Sequence, residues 1–425
     1  MNSARRNSRK KSVSFAFTVF IGAVITGGTV LAQSVKPAVP NTIQQDTALY
    51  RFFEALQQAD SNVVSILHLG DSHIQAGSYP VATGAALQKE FGNAGRGWTF
   101  PYNLAGTNGP DDYRWNSTVR WQTDKVIDRY KEYAPGPGAI VITTGSKSPA
   151  LYFNGRSVNG LDDAVSRAQL FYDAGSTEGS VLAPGAAVTI TPAPFVGTPT
   201  LSKATLEFRS AVQSFQTRWD NKGTGPFLFY GAIIQNGSNG VLYHAIGING
   251  AMFQHYMDNP LTLTAQMQVL QPQLVIISLG TNEAYSGLSA TAITAQIDST
   301  VHLLRQQQPD VPILLTTPPE CMRTTRKAFR KKVGQKYRTY YRVSHYPNPA
   351  IGMVTQQIVQ YCRDNGLACW NFNALNKAMK SSFAAGWAPD HIHFNARGYQ
   401  LQGRLLYEAL QQAYKAYLEN HGKDI

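Results

Sequence analysis

Val63, Val64, Ile66, Leu67 and Leu69 make a nearly unbroken apolar run that ends in the small polar turn Gly70-Asp71-Ser72-His73. A run of this kind predicts a buried parallel strand, and the carboxyl edge of such a strand is where open α/β sheets hold their ligands. Upstream, Leu49, Phe52, Phe53 and Leu56 recur at helical spacing and predict an amphipathic helix ending near Asp60. Downstream, Pro80 to Phe91 has helical spacing with Ala82, Ala85, Ala86 and Leu87 inside, closed by Gly92 and Gly95.

The pattern changes between Gly97 and Gly237. Helical periodicity fades, and Gly, Pro, Ser, Thr and Asn recur at short intervals. Strand-like runs stand at Gly138 to Thr144, Ala168 to Asp173, Ala187 to Thr191, Lys203 to Arg209 and Phe227 to Ile234. An inserted antiparallel sandwich or jelly roll is expected here. Its aromatic residues Trp115, Trp121, Tyr152, Trp219 and Tyr230 are divided between core packing and a sugar-stacking platform, since ring faces suit carbohydrate CH groups.

Strand and helix then alternate. Strands are expected at Val241 to Ile248, Gln273 to Leu279, Val311 to Thr317 and Leu367 to Phe372. Helices are expected within Ala251 to Leu270, broken near Pro260, and at Ala290 to Gln307, Pro349 to Asn365 and Ala396 to Leu418. This alternation implies a parallel sheet with helices on both faces.

Residues 1–32 stand apart from the fold. Five basic residues from Arg5 to Lys11 precede an apolar run from Val13 to Ala32, the pattern of a secretory signal or, uncleaved, a membrane anchor. Residues 33–45 read as a polar linker. The body of the protein is therefore expected outside the cytoplasm, in the periplasm or at the cell envelope. The leader holds five of the 38 basic residues, so 33 face 26 acidic ones in the remainder. Nine of these 33 lie between Arg323 and Arg342, with no acidic residue among them. The plain reading of that stretch is a solvated loop face. The functional readings are attraction to an anionic wall or membrane surface, or restricted access to a nearby site. An exported protein seldom meets nucleic acid, so no nucleic-acid partner is expected. The three cysteines show no metal-ligand spacing, and an oxidising compartment permits a disulfide between Cys362 and Cys369, leaving Cys321 as a buried thiol.

Ser72 at a strand end is by itself more readily a helix cap than a nucleophile, because serine commonly starts helices. A serine nucleophile needs an imidazole to take its proton, and the imidazole needs a carboxylate to fix its tautomer. Asp390 and His393, three residues apart in Ala388-Pro389-Asp390-His391-Ile392-His393-Phe394-Asn395, supply such a pair, with His391 as a competing base. Acyl transfer also needs donors for the developing oxyanion. Gly250, in Gly247-Ile248-Asn249-Gly250-Ala251, and Asn282, in Gly280-Thr281-Asn282-Glu283, stand at expected strand ends. Each stretch alone is also consistent with an ordinary strand-to-helix turn.

Taken in order, Gly-Asp-Ser, the strand-end glycine, Gly-Thr-Asn and Asp-x-x-His resemble the SGNH, or GDSL-type, hydrolase family over about Val63 to Gly92 and Val241 to Leu418. The resemblance implies a flavodoxin-like three-layer α/β/α sandwich. It also implies Ser72 as nucleophile, His393 as general base and acid, Asp390 as its orienting partner, and Ser72, Gly250 and Asn282 as the oxyanion hole, with neither metal nor organic cofactor. Gly70-Asp71-Ser72-His73-Ile74-Gln75, Gly95-Arg96-Gly97, Tyr243 to Ala251 and Gly280 to Tyr285 look like the peptidoglycan O-acetylesterase branch. That branch carries a carbohydrate-binding-like β module between its catalytic blocks. The implied layout is a catalytic domain in two parts, 46–96 and 238–425, around a module at 97–237. The implied partner is O-acetylated peptidoglycan or a related glycan, cleaved at the O-6 acetyl of N-acetylmuramic acid. A deacetylase of another polysaccharide, an O-acetyltransferase and a non-catalytic wall-binding protein are the alternatives.

Overall fold

The computed structural model describes residues 39–156, 164–173, 180–193 and 201–421. The leader lies outside them.

Five parallel strands form the central sheet. In space they run Gly240–Gly247, Val63–Gly70, Leu274–Ser278, Ile313–Thr316 and Ala368–Trp370, with the two-residue strand Ile43–Gln44 antiparallel at the edge. Numbered along the chain, the parallel strands stand in the order 2-1-3-4-5, the flavodoxin-like arrangement whose ligand edge lies where the order reverses. The first strand, Val63–Gly70, sits at that reversal and ends immediately before Ser72.

Two apolar layers cover the sheet. On one face, Ile66 and Ile276 pack with the helices Tyr50–Gln57, Ser78–Phe91 and Ala396–His421. On the other, Leu67, Leu69 and Ile277 pack with Pro260–Leu270, Ala290–Gln307 and Ala350–Asn365. Burial on both faces explains why the strands read as continuous apolar runs rather than alternating ones. His68 interrupts the run without a penalty, because Nδ1 meets the Tyr243 hydroxyl and Nε2 the Ser278 hydroxyl, each at 2.7 Å.

The expected β region forms two antiparallel sheets. One contains Gln122–Lys125, Ile140–Thr144, Val165–Asp173, Ala186–Pro192, Ser202–Val212 and Phe227–Gln235, with Gly97–Thr99 paired to the last. The other contains Tyr113–Asn116, Ala150–Gly155, Val181–Leu182 and Ser214–Trp219. Aromatic contacts join them face to face: Trp115 lies 5.6 Å from Phe229 and Trp219 lies 4.9 Å from Phe227, centroid to centroid. Trp115, Trp219 and Tyr230 are buried core residues, whereas Trp121 and Tyr152 are half-buried.

Four local expectations change. The linker read at 33–45 does not run to its end, because Ile43–Gln44 pairs with Trp370 and Cys369 and Ile43 is buried. The basic stretch is no loop: Met322–Val333 and Lys336–Pro347 pair residue for residue in a hairpin. Thr324, Thr325, Phe329, Tyr337, Tyr340 and Tyr341 give it strand propensity that the run of charges conceals. The last strand stops at Trp370, because Asn371 caps a helix over Phe372–Ala378 through the Ala374 N–H. Cys362 and Cys369 are free, buried thiols in contact with one another, not a disulfide, and Cys321 is buried as expected.

Candidate active site

Gly70 lets the chain turn tightly out of the central strand. A Cβ there would lie 2.2 Å from Ile74 Cγ1 and 2.9 Å from the Ser278 carbonyl. Asp71 caps the following short helix, Ser72–Gln75, its Oδ1 accepting from the His73 N–H at 2.9 Å. Ser72 is thereby held at the first position beyond the cap, its hydroxyl free of the turn.

The turn before the closing helix meets it. His393 Nε2 lies 2.7 Å from Ser72 Oγ, and His393 Nδ1 lies 2.7 Å from Asp390 Oδ2. The other Asp390 oxygen accepts the N–H groups of Ile392 and His393, at 2.9 and 3.0 Å, which fixes carboxylate and imidazole in one loop. Burial pushes the Asp390 carboxyl up, but the His393 ring and these backbone bonds outweigh it and hold the group below its ordinary value. His391, at φ 56°, is turned away onto His345 at 4.4 Å, so the choice between the two histidines falls on His393.

His73 forms the floor beneath this pair. Its ring lies 5.1 Å from that of His393, with Nδ1 at 2.9 Å from the Tyr399 hydroxyl and Nε2 at 3.3 Å from the Thr281 hydroxyl. Burial lowers its pKa to about 3, so it is neutral and does not compete for the proton.

Ser72, Gly250 and Asn282 border one cavity of about 560 Å³ with His393. Gly250 takes φ 81°, the left-handed region that favours glycine. The Asn282 amide is engaged on two acceptors, the Ala251 carbonyl at 2.9 Å and Asp71 Oδ2 at 3.3 Å. Two carboxyls lie buried behind it. Desolvation raises Asp71 and Glu283 each to about 7, and Glu283 accepts the Phe253 N–H at 2.8 Å.

Asn108, Tyr285 and Tyr399 also line the cavity, and of these only Tyr285 carried a sequence signal, as the last residue of the Gly280 to Tyr285 stretch. Gln75 explains how Asn108 arrives there. It is buried, donates to the Asn108 carbonyl at 2.6 Å and the Thr107 hydroxyl at 3.0 Å, and accepts the Asn249 N–H at 2.6 Å. The loop after Gly97–Thr99 is thus tied to the turn that carries Gly250. A hydroxyl, imidazole and carboxylate in series, beside amide donors, form the apparatus of acyl transfer through a serine ester.

Residues 213–401 match the GDSL-like Lipase/Acylhydrolase family model. The match includes Gly250, Asn282, Asp390 and His393 and begins beyond Ser72. A solved peptidoglycan O-acetylesterase aligns with 87% of this chain and 96% of its own, at 22% identity and a TM-score of 0.66. A salicylyl-acyltransferase from a tetracycline biosynthetic pathway aligns with 72% of this chain and 98% of its own at 10% identity, with a TM-score of 0.30. A lipase/acylhydrolase from Enterococcus faecalis covers 42% of this chain and 78% of its own at 17% identity and a TM-score of 0.30. No curated protein matches the sequence. Residues 213–401 thus carry a GDSL-like acylhydrolase family match, and the parallel sheet and its strand order give the α/β part of this chain the SGNH hydrolase fold.

Proposed function

We propose that the protein is an exported serine esterase that removes O-acetyl groups from peptidoglycan, at the 6-hydroxyl of N-acetylmuramic acid. The observation that carries the chemistry is the unbroken series Ser72 Oγ, His393 and Asp390, with 2.7 Å at each step. His393 Nε2 takes the Ser72 proton as Oγ bonds to the acetyl carbonyl carbon. The carbonyl electrons move to oxygen, which the N–H groups of Ser72 and Gly250 and the Asn282 amide stabilise, each donor contributing about 3–4 kcal/mol in comparable sites. His393 then protonates the departing sugar oxygen as the C–O bond breaks, leaving acetyl-Ser72. Water loses a proton to His393, bonds to the acetyl carbon and releases acetate, and the proton returns to Ser72.

The substrate rests on likeness to the solved O-acetylesterase, which extends over nearly all of that chain. Export rests on the basic and apolar leader. Hydrolysis is favoured over transfer to a second sugar by the open flank of the pair, where the His393 and Asp390 side chains are 33% and 46% exposed and water reaches them. The inserted sheets serve as a second glycan contact, for which half-buried Trp121 and Tyr133, beside Glu132 and Lys147 in a cavity of about 680 Å³, are the support. The test is acetate release from O-acetylated peptidoglycan, acetylated xylan and an aryl acetate, by the protein and its Ser72→Ala variant. Serine-dependent release that prefers peptidoglycan is expected. Acetyl transfer to a glycan with little free acetate would identify a transferase, and wall binding without turnover a binding protein.

A further inference from the structure

The hairpin Met322–Pro347 is built in a way that its own stability does not explain. Each strand has twelve residues and pairs only with the other. At about 3.4 Å per residue the arm is roughly 40 Å long. Seven of the twelve large apolar or aromatic side chains exposed among the described residues belong to it, Phe329, Tyr337, Tyr340 and Tyr341 included.

The register sharpens the picture. On one face Lys327 stands opposite Arg342, Phe329 opposite Tyr340, and Lys331 opposite Arg338. Like charges directly across a sheet destabilise it. No aspartate or glutamate occurs in the hairpin, and among the described residues none of these four cations pairs with a carboxylate. Between the two cation pairs the Phe329 and Tyr340 rings stack at 5.8 Å, forming an exposed apolar platform. Lysines that merely guard a sheet edge need neither this opposition nor this platform.

The base of the hairpin joins the Ser72 cavity. The Met322 carbonyl accepts from the Tyr285 hydroxyl at 2.7 Å, and the Met322 N–H donates to the His391 carbonyl at 2.9 Å. Arg323 lies over the Tyr285 ring at 5.4 Å, and Tyr285 itself borders the cavity.

We infer that this hairpin is a binding arm for a linear anionic glycan, whose acid groups pair with Lys327, Lys331, Arg338 and Arg342 while its sugar faces lie on Phe329 and Tyr340. The arm leads the polymer to Ser72, and in that respect it rests on the esterase reading. A bilayer is disfavoured because the second face also carries cations, Arg326 and Arg330 among them, where an interfacial element sets an apolar face against a charged one. Single-stranded nucleic acid has the right charge and stacking groups, but the cavity at the base is assigned to a sugar ester.

The test uses the full chain carrying Ser72→Ala, cosedimented with insoluble peptidoglycan at about 0.05 and 0.3 M salt, conditions that bracket a Debye length of about 10 Å. The combined variant Lys327→Gln, Lys331→Gln, Arg338→Gln and Arg342→Gln is expected to lose about tenfold in affinity at the lower salt, the scale of several exposed ionic contacts. Exchanging each Lys for Arg and each Arg for Lys is expected to restore binding, which separates loss of charge from loss of the hairpin. Phe329→Ala with Tyr340→Ala is expected to weaken binding equally at both salts. Polygalacturonate is expected to displace the protein and dextran to leave it bound. Wild-type affinity in the four-glutamine variant overturns the inference. So does capture by single-stranded DNA or phosphatidylglycerol vesicles that polygalacturonate fails to relieve. Acetate release by the unaltered protein is scored separately: none, with hairpin-dependent binding intact, removes the esterase reading and leaves the arm as a wall tether.

Discussion

The side-chain amide of Asn282 lies 3.3 Å from Asp71 Oδ2, at the longer of its two hydrogen bonds. Burial raises the Asp71 carboxyl to about 7, so near neutral pH it is partly protonated and is a weaker acceptor than a full carboxylate. This bond is the one that yields when an oxyanion forms, while the 2.9 Å bond to Ala251 keeps the amide in place. Asn282→Ala is expected to lower kcat on an aryl acetate by about 10²–10³-fold with KM little changed. Steady-state kinetics decide it, and a wild-type kcat in Asn282→Ala would take this residue out of the oxyanion hole.

Ser72 and His393 act as one unit, because the hydroxyl is a nucleophile only while the imidazole accepts its proton. Ser72→Ala, His393→Ala and the double variant are therefore expected to fall to the same residual rate, rather than to multiply their losses. Asp390 is half-exposed, and its bonds to the Ile392 and His393 N–H groups also shape the turn. Asp390→Asn is expected to cost about 10²–10⁴-fold in kcat. The outcome against this scheme is a double variant slower than either single variant by the product of their separate losses.

What the sequence made legible follows from where information is local. The strand run before Ser72 announces itself because both of its faces are buried, so Ile66, Leu67 and Leu69 are all apolar. Asp390 and His393 are legible because their contact spans three residues of one turn. The approach of Ser72 to His393 spans 321 residues and came only from family likeness and the sheet's topology. Asn108 was illegible as a site residue, since a polar side chain in an irregular loop carries no periodicity; Gln75 stands in the Gly70–Gln75 motif, but its tie to Asn108 depends on how the inserted sheets are seated. The hairpin was misread for a related reason. Its charges suggest solvation, and its strand character lies in the aromatic and threonine residues between them, whose partners are fixed only by register.

Buried titratable groups set the expected pH dependence of stability. Burial lowers His68, His73 and His244 each to about 3, against about 6.5 in the unfolded chain, so their contribution is complete above about 6.5 and is lost as pH falls towards 3. Asp71 and Glu283 act oppositely. Raised to about 7, they stabilise fully below about 4 and lose that contribution as pH rises through 7. Between about pH 4.5 and 6 these three histidines oppose these two carboxyls, with His255 lowered and Asp112 raised by burial adding one group to each side, so stability is expected to rise with pH. Among the described residues His244 has no partner for either ring nitrogen, so His244→Leu is expected to flatten that slope without removing a hydrogen bond. Urea unfolding at several pH values measures both slopes, and an unchanged slope in His244→Leu would mean that His244 is not held neutral.

The three cysteines give a separate check on the core and on the compartment. Cys321 is pushed up by burial, and Cys362 is pushed up first by the adjoining Cys369 thiol and then by burial. A thiol reacts as its thiolate and only where a reagent reaches it. The native protein is therefore expected to resist iodoacetamide at about pH 8, where a free exposed thiol of pKa about 8.5 reacts readily, and to take up three labels once unfolded. Cys362 and Cys369 touch where the helix Ala350–Asn365 lies against the strand Ala368–Trp370, so oxidation would join them without requiring distant segments to meet. Protein recovered from the periplasm and unfolded without reductant that takes one label instead of three would show that this pair had closed after export. Rapid labelling of Cys362 or Cys369 in the native, reduced protein, located by peptide mapping, would instead show that this helix–sheet interface opens to solvent.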